Sequence, residues 1–121
     1  MKVLVVDVGG TSVKIAALNQ GTRRKFKSGP TMTARQMVAG VKILAHSWNY
    51  DRISIGYPGV VKHNRPLTEP HNLARGWVNF DYAAAFGCPV KIINDAAMQA
   101  VGSYKSGTML FLGLGTGLGS A

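Results

Sequence analysis

Five carboxylates make up the whole stock of acidic side chains in this 121-residue chain: Asp7, Asp51, Glu69, Asp81 and Asp95. Two of them stand in settings where a carboxylate does chemistry. Asp7 ends the apolar run Val3-Leu4-Val5-Val6, which is β-branched and too short for a helix, and leads into Val8-Gly9-Gly10-Thr11-Ser12-Val13-Lys14. The paired glycines let the backbone turn with positive φ and leave the peptide N–H groups open to a ligand, as in turns that cradle phosphate oxygens. In such a turn Asp7 can hold a magnesium ion directly or through water, while Thr11 and Lys14 supply a hydroxyl and a positive charge. Asp95 follows Val90, Ile92, Ile93 and Asn94, a buried strand predicted to open a helix running to about Tyr104. A carboxylate at a helix N-terminus is held ionised by the dipole and can accept a proton.

Each signal has a plainer reading. A Gly-Gly hairpin accounts for the first turn as well as a phosphate loop does, and N-capping is the commoner use of an Asp in the position of Asp95. The end of the chain adds weight. Met109-Leu110-Phe111-Leu112 reads as another buried strand, followed by Gly113-Leu114-Gly115-Thr116-Gly117-Leu118-Gly119, a second glycine-threonine turn. Two such turns with an Asp-bearing strand end between them are more specific than any one of the three.

The elements that must position these residues form an α/β pattern. Val13, Ile15 and Ala17 alternate with Ser12, Lys14 and Ala16, so the first turn joins strand to strand, unlike the dinucleotide fingerprint and the P-loop, which both run into helices. Asn19-Gln20-Gly21-Thr22 is a predicted turn, and Arg23-Arg24-Lys25-Phe26-Lys27 a charged edge strand, read first as a solvated edge guarded against aggregation, with a polyanion-binding site as the alternative. Thr33 opens the clearest helix, with Gln36 completing a capping box and Met32 and Met37 a hydrophobic staple. Met37, Val38, Val41, Leu44, Ala45 and Trp48 then follow the helical period, and His46 falls in the same helix.

Ile53 and Ile55 begin a strand ending in Gly56-Tyr57-Pro58-Gly59, backbone of a kind that lies beside small polar ligands. The stretch from Lys62 to Gly76 reads as a long loop in which Asn72 either hydrogen-bonds sugar hydroxyls or organises a turn. Trp77 and a short helix near Phe80 to Phe86, capped by Gly87, are predicted to close over it.

Composition narrows the partners. Fourteen Lys and Arg against five acids give +9, which suits an anionic substrate. No aromatic-interleaved basic stretch or helix-turn-helix pattern points to nucleic acid. The single cysteine, Cys88, excludes an internal disulfide and fits a reducing cytoplasm; the loop histidines lack the spacing of a zinc site, and no apolar run is long enough for a membrane span.

Together these motifs resemble the N-terminal part of sugar kinases of the ROK family, within the superfamily that includes actin and heat-shock chaperones. The residues carrying the resemblance are Asp7 to Thr11, Tyr57 to Val61, Asn72 with Trp77, Asn94-Asp95-Ala96 and Leu114 to Gly117, and the spacing is most similar to the polyphosphate glucokinase branch. The resemblance implies an RNase H-like (actin-like ATPase) lobe with a mixed sheet of about five strands flanked by helices. It implies a division into 1–105 and 106–121, the latter beginning a second lobe whose remainder lies outside this sequence. By it, Asp95 is the catalytic base, Gly59, Asn72, Asn94 and Asp95 bind the sugar, and Asp7 holds magnesium. Gly9, Gly10, Thr11 and Lys14, with Gly115, Thr116 and Gly117, then bind phosphates of ATP or polyphosphate.

The expected substrate is a hexose, glucose above others, with no zinc site in this stretch, and strand 109–112 is expected to add to its own sheet or to a neighbour's, the latter giving a homodimer. Ala97 and Ser103 depart from the Asn and Glu of many relatives. A non-catalytic sugar-binding module, as among the family's regulators, stays open, although those regulators place a DNA-binding segment ahead of the first loop, where six residues precede Asp7 here.

Overall fold

The computed structural model describes residues 2–17 and 23–96. The chain runs β1 (Val3–Val8), β2 (Ser12–Ala17), β3 (Arg23–Lys27), α1 (Ala34–Leu44), β4 (Arg52–Tyr57), β5 (Val61–Lys62), β6 (Arg65–Pro66), α2 (Tyr82–Phe86) and β7 (Val90–Asn94). Five strands form one mixed sheet in the order β3-β2-β1-β4-β7, as the α/β expectation requires. The β1-β2 and β2-β3 pairs are antiparallel, whereas β1-β4 and β4-β7 are parallel.

Alternation along the strands assigns the faces. Leu4, Val6, Val8, Val13, Ile15, Ile53, Ile55 and Ile92 pack with Met37, Val38 and Val41 of α1 and Tyr82 and Phe86 of α2 in one core. The opposite face carries Val3, Val5, Ser54 and Ile93, also buried, together with Asp7 and Lys14, which sit opposite each other in the β1-β2 register.

Helix α1 starts as its sequence dictates. Thr33 accepts from the Gln36 N–H at 3.2 Å while Gln36 returns a bond to the Thr33 N–H at 3.0 Å, and Met32 and Met37 are both buried in the core. Its end differs from expectation. The helix stops at Leu44, so His46 is exposed in the following turn, and Trp48 reaches the core through that turn, not along the helical stripe. Arg24 explains the stop. Its guanidinium donates to the Leu44 carbonyl at 2.7 Å and lies 4.3 Å from the Trp48 ring centroid, satisfying a carbonyl orphaned by the helix end.

In α2, Asp81 accepts from the Ala84 N–H at 3.0 Å, which places the start after Phe80, and Gly87 closes it in the left-handed conformation at φ 75°. Trp77 is no lid: it is fully buried, with the Tyr57 ring 6.0 Å away and its carbonyl accepting from the Tyr82 hydroxyl at 2.7 Å. Unforeseen in the long loop is the β5-β6 hairpin. His63 and Asn64 turn it with φ of 53° and 62°, the pair of positive values that a two-residue type I′ turn needs. Among the described residues no helix is long and apolar enough to cross a membrane.

Arg24 therefore docks on the end of α1 and the Trp48 ring and is half-buried there, not a free charge of a basic surface. Replacing it with Ala should cost about 1–2 kcal/mol in urea unfolding, with Lys a poor substitute because it cannot stack and cap together. Lys25→Ala, one residue on and exposed, should stay within about 0.5 kcal/mol. Equal effects of the two would contradict this assignment.

Candidate active site

Three parallel strands end on one rim of the sheet. The register aligns Asp7 with Gly56 and Gly56 with Ile93, so two residues further on Gly9, Pro58 and Asp95 leave the sheet side by side. Ligands of open α/β sheets sit outside such carboxyl ends.

The first of these ends is a tight turn. The Gly9 N–H donates to the Ser12 carbonyl at 3.0 Å, and Ser28, just past β3, holds the turn from outside. Its hydroxyl donates to the Gly9 carbonyl at 2.7 Å and its N–H to the Thr11 carbonyl at 3.1 Å. Neither Gly9 nor Gly10 adopts the left-handed conformation that the sequence suggests for them. Glycine is needed here for proximity instead. A Cβ on Gly9 would stand 2.9 Å from the Ser12 carbonyl oxygen, and one on Gly10 2.9 Å from Asn72 Cβ. The candidate phosphate turn and the candidate sugar loop are thus in contact. Thr11 and Lys14 are exposed beside it, and Asp7 is half-buried.

Next to this turn an open cleft of about 490 Å³ is lined by Gly59, Thr68, Glu69, His71, Asn94 and Asp95 among others. Gly59 is pressed in from behind: a Cβ there would lie 2.8 Å from the Tyr57 ring and 3.0 Å from Thr68 Oγ1. Asn94 clamps the rim. Its Nδ2 donates to the Gly59 carbonyl at 2.7 Å and its Oδ1 accepts from the Ala96 N–H at 2.9 Å, which leaves one amide N–H for a ligand. Asn72 lies on the loop between, exposed and against Gly10.

Two participants escape sequence reasoning. Ser28 follows a charged strand with no motif around it. Glu69 precedes Pro70 in a polar loop, yet its Oε1 accepts from the N–H groups of Gly76 and Trp77, both at 3.0 Å, and its Oε2 faces Val78 N at 3.4 Å. It is a fastener seven to nine residues from its partners, a distance no local rule encodes.

The electrostatics tie Asp95 to Asp7. Burial raises the Asp95 pKa above the usual carboxylate value, the negative charge of Asp7 raises it further, and backbone N–H groups at Ala96 and Asp95 itself pull it down. The helix-end donors act in the expected direction, but desolvation outweighs them. A carboxylate tuned upward is a better proton acceptor than an ordinary one. No group of three or more metal-ligating side chains occurs among the described residues. Magnesium does not require one, since it is commonly held by one or two carboxylates together with substrate phosphates and water. Asp7, half-buried beside the phosphate turn, fits that pattern.

Gly115, Thr116 and Gly117, the helix expected from Asp95 to Tyr104 beyond Ala96, the residues Ala97 and Ser103, the turn 19–22, the division near 105 and strand 109–112 lie outside the described residues.

The Asp7–Asp95 coupling is directly measurable. In a carbon-13 NMR titration the Asp95 carboxyl should ionise above the ordinary aspartate value of about 3.9. Asp7→Asn removes a neighbouring negative charge, which eases ionisation and lowers that midpoint, though burial keeps it raised. An unmoved midpoint would mean that the two acids do not face one space.

Comparison with known proteins bears on the family and the fold. The ROK family profile matches residues 3–121. Bifunctional enzymes NanE/NanK of Brucella melitensis and Brucella suis are 31% and 30% identical over 97% of this chain, which spans 25% of their length. Among solved structures, the Lmo2764 protein of Listeria monocytogenes, described as a candidate N-acetylmannosamine kinase, superposes with a TM-score of 0.70 at 23% identity, covering 91% of this chain and 40% of that one. A ROK family glucokinase from Streptomyces griseus, solved with glucose and AMPPNP, gives 0.66 at 24% identity, covering 88% of this chain and 37% of that one. The five-stranded mixed sheet is therefore the actin-like ATPase sheet of those kinases, and the chain belongs to the ROK family.

Proposed function

We propose that this chain is the N-terminal lobe of a cytoplasmic hexose kinase that transfers a phosphoryl group from ATP or polyphosphate to a sugar hydroxyl, with glucose as the favoured acceptor. The observation carrying this reading is the shared rim, where Asp7, the Gly9–Ser12 turn and Asp95 converge and Asn72 touches Gly10. The sugar lies in the cleft beside Gly59 and Asn94, its reacting hydroxyl toward Asp95. As the hydroxyl oxygen attacks the terminal phosphorus in line, its proton passes to the Asp95 carboxylate and the bond to the leaving phosphate oxygen breaks. Thr11 and Lys14 offer a hydroxyl and a positive charge to the phosphate tail. Asp7 would hold a magnesium ion, which when bound offsets the negative charge on the donor phosphates. Gly115, Thr116 and Gly117 would meet the donor from the second lobe.

Glucose as acceptor is supported by the Streptomyces griseus structure containing it, and the Listeria relative, described as a candidate N-acetylmannosamine kinase, makes an amino sugar derivative the rival. A polymeric donor is supported by charge placement. Lys14 pairs with Lys25 and Ser12 with Lys27 across β2 and β3, which sets three exposed lysines on one face beside the phosphate turn. Arg24, docked on the end of α1, does not contribute.

In a protein carrying this chain together with a second lobe, Asp95→Asn should lower kcat by about 10²–10⁴ and leave KM for the hexose within about threefold. Undiminished turnover in steady-state assays would remove Asp95 from its role. The 121-residue chain alone should show no appreciable activity, because positioning supplies most of the rate in phosphoryl transfer.

A further inference from the structure

We propose that His71 is a sugar-contacting residue that sets which hexose the cleft accepts, an inference that rests on the sugar-kinase reading above. The cleft's other polar side chains already carry structural hydrogen bonds. Glu69 is spent on the backbone of residues 76–78, and Asn94 on Gly59 and Ala96 with one amide N–H to spare. Thr68 Oγ1 takes the Val60 N–H at 3.1 Å, and Asp95 is reserved for the reacting hydroxyl. His71 lines the same cleft, is exposed, and makes no hydrogen bond or ion pair among the described residues.

Its surroundings are rigid although its side chain is unengaged. Leu67 N–H donates to the Val60 carbonyl at 2.7 Å, and the Tyr57 hydroxyl to the Thr68 carbonyl at 2.6 Å. Glu69 fastens the loop to residues 76–78, Leu73 is buried in the core, and Ala74 N–H donates to the Met32 carbonyl at 3.0 Å. His71 and Asn72 stand exposed between these anchors. Asn72 is against Gly10 on the phosphate side, which leaves His71 to the sugar side. A neutral imidazole offers one donor and one acceptor, the complement of two neighbouring sugar hydroxyls, and a site built to hydrogen-bond a hydroxyl discriminates strongly against an analogue lacking it.

The test uses a protein carrying this chain together with a second lobe, assayed with glucose and with 2-, 3- and 4-deoxyglucose. His71→Ala should raise KM for glucose about tenfold or more, keep kcat within about threefold, and erase the discrimination against one deoxy analogue. His71→Asn, which keeps a donor and an acceptor, should restore part of that discrimination. A loop disturbed merely in shape would weaken all four sugars alike, and that result would overturn the proposal. So would a His71→Ala enzyme with glucose KM and deoxy-sugar preference unchanged. If the unaltered protein phosphorylates no hexose at all, the kinase reading itself fails, and His71 with it.

Discussion

The backbone ladder joining β1, β4 and β7 fixes where everything else can be. Parallel pairing sets Asp7, Gly56 and Ile93 in one row, and a slip of a single residue would turn Asp7 into the core and Val6 out of it. The ladder is held from both sides. Beneath it, Val6, Ile55 and Ile92 are fully or nearly fully buried against α1 and α2. At its outer edge Asn64 takes the place of a neighbouring strand: its Nδ2 donates to the Val90 carbonyl at 3.0 Å and its Oδ1 accepts from the Ile92 N–H at 2.7 Å. The β5-β6 hairpin thereby occupies backbone groups that an edge strand would otherwise present to another chain. It also holds the strand that delivers Asp95.

Above the ladder, contact does the work that conformational freedom was expected to do. Gly9, Gly10 and Gly59 are small because other atoms stand 2.8–2.9 Å from where a Cβ would be, closer than van der Waals contact allows. That crowding joins the phosphate turn to the Asn72 loop and the Pro58-Gly59 turn to Thr68. Burial is the larger cost of charging Asp95, and the negative charge of Asp7 across this space adds to it. In the proposed reaction a cation on Asp7 would offset that repulsion, and burial would be what keeps Asp95 a ready proton acceptor.

Much of this was legible in the residues. The strand periods, the Thr33-Gln36 capping box, the Gly87 cap and the positions of Asp7 and Asp95 at strand ends all follow from local chemistry, and all are present. What could not be read depends on partners distant in the chain. Arg24 looked like surface charge because its acceptor, Leu44, lies 20 residues away. Glu69, Ser28 and Asn64 bind backbone groups, which carry no side-chain signature in a sequence. The glycines of the first turn were recognised correctly as special for a reason that the fold replaced with another.

The measurement that bears most directly on the shared rim is a crystal structure of a protein carrying this chain and a second lobe, with a hexose and a non-hydrolysable donor bound. The account predicts a sugar hydroxyl within hydrogen-bonding distance of the Asp95 carboxylate, and the donor's phosphate tail between it and the Gly9–Ser12 turn, on the side of Asp7. A hexose seated instead in the separate cavity of about 450 Å³ under the β5-β6 hairpin, between Arg65 and Tyr82, would contradict it.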